Sequence, residues 1–213
     1  GMCYLGILPT LASILAFSIG LVVTGAMHED GLADCADGFG GGQSKNQKLE
    51  IMRDSRIGSF GVLALFFIVS ARIVSLSNLP PNQEVLFAVI ALAMISRLVM
   101  VFYLTFLSPA RDEGLGRDAS KPEVGALVIS VITCIPIIFI CGSYMISCVA
   151  IIAIIAFLFG WIIRVQIGGQ TGDTCGAAQL ISETAGYIFL VTFLNMVLAI
   201  FDSFSIIFHI FDF

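Results

Sequence analysis

Residues 124–163 read VGALVISVITCIPIIFICGSYMISCVAIIAIIAFLFGWII and contain no charged side chain. An α-helix rises about 1.5 Å per residue, so about 20 apolar residues cross the roughly 30 Å of hydrocarbon in a bilayer. This run is too long for one ordinary span. Pro136 together with Cys141-Gly142-Ser143 supplies a break, and the run divides into spans over residues 124–141 and 143–163. Working outward, four more apolar segments stand at residues 3–23, 57–77, 84–107 and 185–209. The reading is an all-α, polytopic transmembrane helix bundle with about six spans, forming a single integral-membrane domain over residues 1–213.

Composition agrees. The chain is 58% hydrophobic and only 12% charged, with a mean hydropathy of +1.03, which excludes an ordinary soluble domain. A net charge of −5 without a basic stripe excludes nucleic acid as a partner. The six cysteines are scattered and form no CxxC pair, which argues against a zinc site or a disulfide framework. The first segment has no basic leader and no small-residue cleavage site, so it reads as a retained span.

Three polar stretches separate the spans, at residues 24–56, 108–123 and 164–184, and six alternating helices bring all three to one side. They carry Lys45, Lys48, Arg53, Arg56, Arg111, Arg117, Lys121 and Arg164, whereas the opposite loop, residues 78–83, carries no Lys or Arg. The positive-inside rule places the three on the cytoplasmic side of a bacterial inner membrane. The residues able to do chemistry crowd the same side.

The first stretch reads Thr24-Gly-Ala-Met-His-Glu-Asp-Gly-Leu-Ala-Asp-Cys-Ala-Asp-Gly-Phe-Gly-Gly-Gly42. If it is helical from about Glu29, Asp30, Asp34 and Asp37 share one face at i, i+4 and i+7. Three neighbouring carboxylates repel one another unless a cation sits among them, and hard oxygen ligands suit Mg²⁺ or Mn²⁺. The alternative is a solvated acidic face. Gly40 and Gly41, in the glycine run that follows, allow a backbone to approach a phosphate, or simply make a flexible turn. Arg53 and Arg56, one helical turn apart, suit a diphosphate or anchor the topology, and Asp54 between them orients an arginine or joins the metal shell. Arg72 and Arg97 fall inside spans, where a charge faces a polar cavity or a paired acid.

The third stretch reads Gly168-Gly-Gln-Thr-Gly-Asp-Thr-Cys-Gly-Ala-Ala-Gln179. Asp173 is a candidate metal ligand, general base or ribose contact, with Thr171 and Thr174 offering hydroxyls. An N-terminal cap for the following helix is the structural alternative. His28, as a neutral imidazole, is a candidate base or ligand.

Three strings, Thr24-Gly-Ala-Met-His-Glu-Asp-Gly-Leu-Ala-Asp-Cys-Ala-Asp-Gly38, Glu50-Ile-Met-Arg-Asp-Ser-Arg-Ile-Gly-Ser-Phe-Gly-Val62 and Gly169-Gln-Thr-Gly-Asp-Thr-Cys-Gly-Ala177, closely resemble the signatures of the cobalamin 5′-phosphate synthase family. Ser96-Arg97 and Glu113-Gly-Leu-Gly116 fit that pattern in order. The resemblance implies a polytopic, Mg²⁺-using adenosylcobinamide-GDP ribazoletransferase. Such an enzyme joins α-ribazole or its 5′-phosphate to adenosylcobinamide-GDP and releases GMP. Carried over by position, Asp30, Asp34 and Asp37 match the acidic motif, Arg53, Asp54 and Arg56 the second, and Asp173 the third.

On this basis Asp30, Asp34, Asp37 and Asp54 are expected around the metal. Arg53, Arg56, Arg97, Gly40, Gly41 and Thr171 are expected on substrate, and Asp173 and His28 at the attacking hydroxyl. The family usually begins with more residues before the first matched span, so the chain is expected to be short at its N-terminus. Its Glu29-Asp30 pair adds an acid where the family commonly has Leu-Asp. Two alternatives remain: a membrane ion or solute transporter, whose acids would lie near the bilayer midplane, and an enzyme like the CDP-alcohol phosphotransferases. Monomer and homo-oligomer both stay open.

Overall fold

The computed structural model describes residues 2–111, 122 and 124–211, with side chains as far as residue 200. Among them the chain is helical, with no strand. After a short 3₁₀ turn at Met2–Leu5 come α1 (Pro9–Thr24), α2 (Met27–Gly41), α3 (Lys45–Ile51), α4 (Ser59–Ser77), α5 (Gln83–Phe106), α6 (Val124–Cys141), α7 (Tyr144–Ile167) and α8 (Gly172–Phe211). Helices α4 to α7 and the Gly172–Ile200 part of α8 are each long and apolar enough to cross a membrane. The α1–α2 pair passes the same test only when its two halves, bent by 88°, are counted together; α2 alone, at 15 residues, is too short to cross. The multi-pass helical architecture read from the sequence is therefore the one observed.

Local chemistry sets the boundaries. Pro9 opens α1, where its missing N–H is not needed. The helix ends on two consecutive left-handed residues, Gly25 (φ 63°) and Ala26 (φ 54°), and the chain turns by 88° into α2. Ala26 is the one non-glycine residue with positive φ among those described, so this corner is held against its own steric preference. The turn takes the acid-bearing α2 out of the direction of α1 and lays it across the end of the bundle, against α8 and α4. Ser44 and Gln47 form a capping box at the start of α3, and Asn82 caps α5.

Two sequence expectations about boundaries need correction. The long apolar run breaks at Gly142 (φ 88°), whereas Pro136 sits inside α6 without ending it. The stretch at residues 164–184 is not a long loop: α7 continues to Ile167 and α8 begins at Gly172, thirteen residues before the apolar segment. Gln179, Ser182, Glu183 and Thr184 lower the hydropathy there, yet all four are buried in the bundle.

The core follows the seam of α5, α7 and α8, where Ala88, Ala91, Leu92, Met145, Cys148, Ala177 and Leu190 are fully enclosed. Phe66, Phe67, Phe139 and Phe157 point outward and are exposed, as befits surfaces whose solvent is lipid. Helices α1, α5 and α7 end, and α4 and α8 begin, at the end crossed by α2.

Candidate active site

Two glycines let α2 lie directly on α8. A Cβ at Gly31 would stand 2.6 Å from the carbonyl oxygen of Asp173, and one at Gly176 would stand 3.2 Å from the Cα of His28. This backbone contact sets Asp30 and Asp34 beside Asp173, although about 140 residues separate them in sequence. A second contact brings a cation: Gln170 donates its N–H to the Ser108 carbonyl at 2.8 Å, and Ala110 donates to the Gln170 carbonyl at 2.8 Å. The strand-like clasp presents Arg111, which donates to Asp173 Oδ2 at 3.1 Å and to the Leu49 carbonyl at 3.2 Å.

The electrostatics of this basin are unbalanced. Burial, then the neighbouring carboxylates Asp30 and Asp173, push Asp34 up to about 7, while Arg111 acts in the opposite direction. His28 is nine-tenths buried with its Nδ1 unpartnered. Burial, followed by the Arg97 guanidinium, lowers its affinity for a proton, so the imidazole is neutral near pH 7.

Several expected site residues are engaged elsewhere. Asp37 accepts hydrogen bonds from the N–H groups of Gly58 at 2.7 Å and Gly61 at 2.8 Å, so it caps the first turn of α4 and leaves the row of free acids. A Cβ at Gly58 or Gly61 would strike that carboxylate. Asp54 and Arg56 pair with each other at 2.6 Å on an exposed surface, which holds the Asp54 carboxyl at about 2. Arg53 and Asp54 follow the end of α3 rather than lying within a helix, so the two arginines share no helical face; Arg53 is exposed.

Gly40 and Gly41 belong to α2 and neither has positive φ; they do not form a phosphate-cradling loop. Gly40 is glycine because a Cβ there would stand 2.6 Å from the Phe60 ring. Thr171 is buried and exchanges hydrogen bonds with Thr174, forming the N-terminal cap of α8, while its hydroxyl also reaches Asp173 at 3.4 Å. Among the described residues, no three His, Cys, Asp or Glu side chains stand close enough together to hold a metal ion between them. The Glu113-Gly-Leu-Gly116 motif lies outside the described residues.

A second polar centre, absent from the site residues expected from sequence, lies within the spans. Arg72 donates to Glu183 at 3.2 Å and sits over the rings of Phe17 and Tyr187. Glu183 also accepts from Gln179 and Tyr187, each at 2.7 Å, and Gln179 donates to Ser96 at 3.0 Å. Half of the signal was present, as Arg72 inside an apolar segment; Glu183 fell in the stretch read as a polar loop. Arg97 is exposed on α5, with its guanidinium on the Ala93 carbonyl.

Fold and site together define a multi-pass membrane protein with an acid-rich polar centre at one end of its helices. The family model described as Cobalamin-5-phosphate synthase matches residues 1–191, and the chain belongs to this family of enzymes. It is 41% identical over 175 residues to the adenosylcobinamide-GDP ribazoletransferase of Mesorhizobium japonicum, covering 82% of this chain and 68% of that relative. It is 41% identical over 193 residues to the protein of the same name from Azorhizobium caulinodans, covering 85% and 72%. The Rhizobium johnstonii protein of that name is 35% identical over 193 residues, covering 86% and 74%. No solved structure matches.

Proposed function

We propose that the chain transfers the adenosylcobinamide phosphate group from adenosylcobinamide-GDP to α-ribazole or α-ribazole 5′-phosphate, with Mg²⁺, at the cytoplasmic face of the bacterial inner membrane. One observation carries the reading: Asp30, Asp34 and Asp173 lie near enough at one end of the bundle to disfavour one another's ionisation, with Arg111 paired to Asp173. Three carboxylates against one arginine, with Asp34 unwilling to ionise, fit a hard divalent ion. Bound there, the ion would offset charge on the diphosphate.

Asp30 and Asp34 are the ligands favoured by this arrangement, because Asp37 is committed to α4 and Asp54 to Arg56. Asp173, oriented by Arg111 and Thr171, accepts the proton of the attacking hydroxyl; His28, neutral and unpartnered at Nδ1, is the second candidate. In α-ribazole 5′-phosphate the 5′ oxygen is already esterified, so the hydroxyl common to both acceptors is another ribose hydroxyl. Its oxygen bonds to the cobinamide-side phosphorus, the bond to the GMP oxygen breaks, and the hydroxyl proton passes to the base. Arg53 and Arg97, which make no ion pair among the described residues, are the arginines assigned to phosphate oxygens, and Arg56 joins them only by leaving Asp54.

The transporter alternative has one supporting feature, Glu183 inside α8, and that carboxylate is spent on Arg72, Gln179 and Tyr187. The deciding experiment follows GMP release by detergent-purified protein given adenosylcobinamide-GDP and α-ribazole, with Mg²⁺ or with excess EDTA. GMP release that depends on Mg²⁺ is expected. Full activity of an Asp30→Ala, Asp34→Ala double variant would sink the assignment of the metal to these acids.

A further inference from the structure

Away from the acids, a groove of about 480 Å³ runs between α5 and α7. Its walls are apolar, with Leu98, Phe102, Phe106, Ala153 and Phe157 along them. The one hydroxyl on the wall, Tyr103, is spent on the Ala156 carbonyl, so nothing inside asks for a polar ligand. At the end where the polar stretches emerge, the lining changes to Trp161 and Arg164.

Trp161 is 61% exposed. Arg164 is exposed and one turn from the end of α7, with a guanidinium nitrogen 3.4 Å from the Phe106 carbonyl; among the described residues it makes no ion pair. That bond holds the cation over the groove mouth rather than letting it drift into water. Lys45 Nζ adds a second positive charge just beyond, 3.1 Å from where a Cβ on Gly168 would stand.

We propose that this groove binds one anionic glycerophospholipid, with an acyl chain between α5 and α7 and the headgroup phosphate on Arg164. The pattern fits a lipid better than a helix: a narrow apolar slot is topped by an aromatic and a cation at headgroup level. Charge complementarity selects the anionic class, since a guanidinium suits phosphate geometry and an anionic headgroup brings a net negative charge to Arg164 and Lys45. The inference stands apart from the transferase reading, because no residue of the acidic basin takes part.

Trp161 is the only tryptophan in the chain, so the groove carries its own reporter. Wild-type protein is reconstituted in phosphatidylcholine vesicles containing increasing fractions of phosphatidylglycerol, with bromine on the acyl chains of one lipid class at a time. Brominated phosphatidylglycerol is expected to quench Trp161 with about fivefold higher apparent affinity than brominated phosphatidylcholine, the preference one cation at an anionic surface supplies. Arg164→Gln should bring the ratio close to one, and Arg164→Lys should keep most of it.

Equal quenching by both lipids in wild-type protein would overturn the proposal, leaving an ordinary lipid-facing surface. Absence of quenching by either would overturn it in favour of a protein segment or second copy covering the groove. Retention of the preference in Arg164→Gln would place lipid selection elsewhere and overturn the role given to Arg164. The wild-type comparison tests the idea even if a variant fails to fold.

Discussion

Gly31→Ala tests how far the acidic basin depends on backbone contact. The added Cβ would lie 2.6 Å from the Asp173 carbonyl oxygen and 2.9 Å from its Cα, whereas ordinary contact starts at 3.4 Å. Both obstructing atoms are backbone, so no rotamer change relieves the clash, and α2 must back away from α8 by about 0.8 Å. Asp30 and Asp34 move with it while Asp173 stays. Overpacking of this kind destabilises by about 1–3 kcal/mol, whereas a misplacement near 1 Å at reacting groups reduces rate on the order of 10²-fold. The expected signature is therefore a large fall in GMP release beside a modest fall in the thermal unfolding midpoint in detergent. Gly20→Ala is the control, because no atom lies within 4 Å of its Cβ position. Wild-type turnover in Gly31→Ala, or an activity loss explained entirely by unfolding at the assay temperature, would refute the reasoning.

Three further outcomes are expected. Glu183→Ala leaves Arg72 buried without its acid and should destabilise by about 3–5 kcal/mol, read by thermal unfolding, with part recovered when Arg72→Met is added. Asp37→Ala strips the acceptor from two backbone N–H groups of α4 and should reduce stability by about 1–3 kcal/mol; Mg²⁺ affinity by calorimetry should fall far less than in Asp34→Ala. Asp34 holds its proton to about pH 7 in the folded state but releases it near 4 when unfolded, so metal-free protein should lose stability as pH rises from about 4 to about 7. Over the same interval Mg²⁺ should bind more tightly, since it displaces that proton.

Hydropathy and glycine placement made most of the spans legible, because a lipid-facing helix announces itself by what it lacks. The start of α8 was not legible on that ground: Gln179, Glu183 and Thr184 look like loop residues until Arg72 and Ser96, about 80 to 110 positions away, are brought against them. The acid spacing at Asp30, Asp34 and Asp37 did signal a helix, but not that Asp37 faces the start of α4. Glycine was ambiguous for a physical reason, since it serves a flexible phosphate loop and a tight helix contact equally well; at Gly31 and Gly40 only the neighbours decide. Arg111 was hidden because its partner comes through a backbone clasp between residues 108–110 and 170, and such a contact leaves no local pattern.

The Arg72–Glu183 pair also bears on how the chain is made. Helix α4 enters the membrane carrying an arginine whose counter-charge lies 111 residues further on, not yet synthesised. A lone ionised side chain raises the insertion free energy of a helix by about 3 kcal/mol at its centre and by less near its ends; Arg72 stands five residues from the end of α4, so the other apolar residues hold α4 until α8 arrives. Docking of α8 is then the event that neutralises the interior, and it is the same event that delivers Asp173 to α2. A chain arrested before that point displays within the bilayer a guanidinium that lacks its acid.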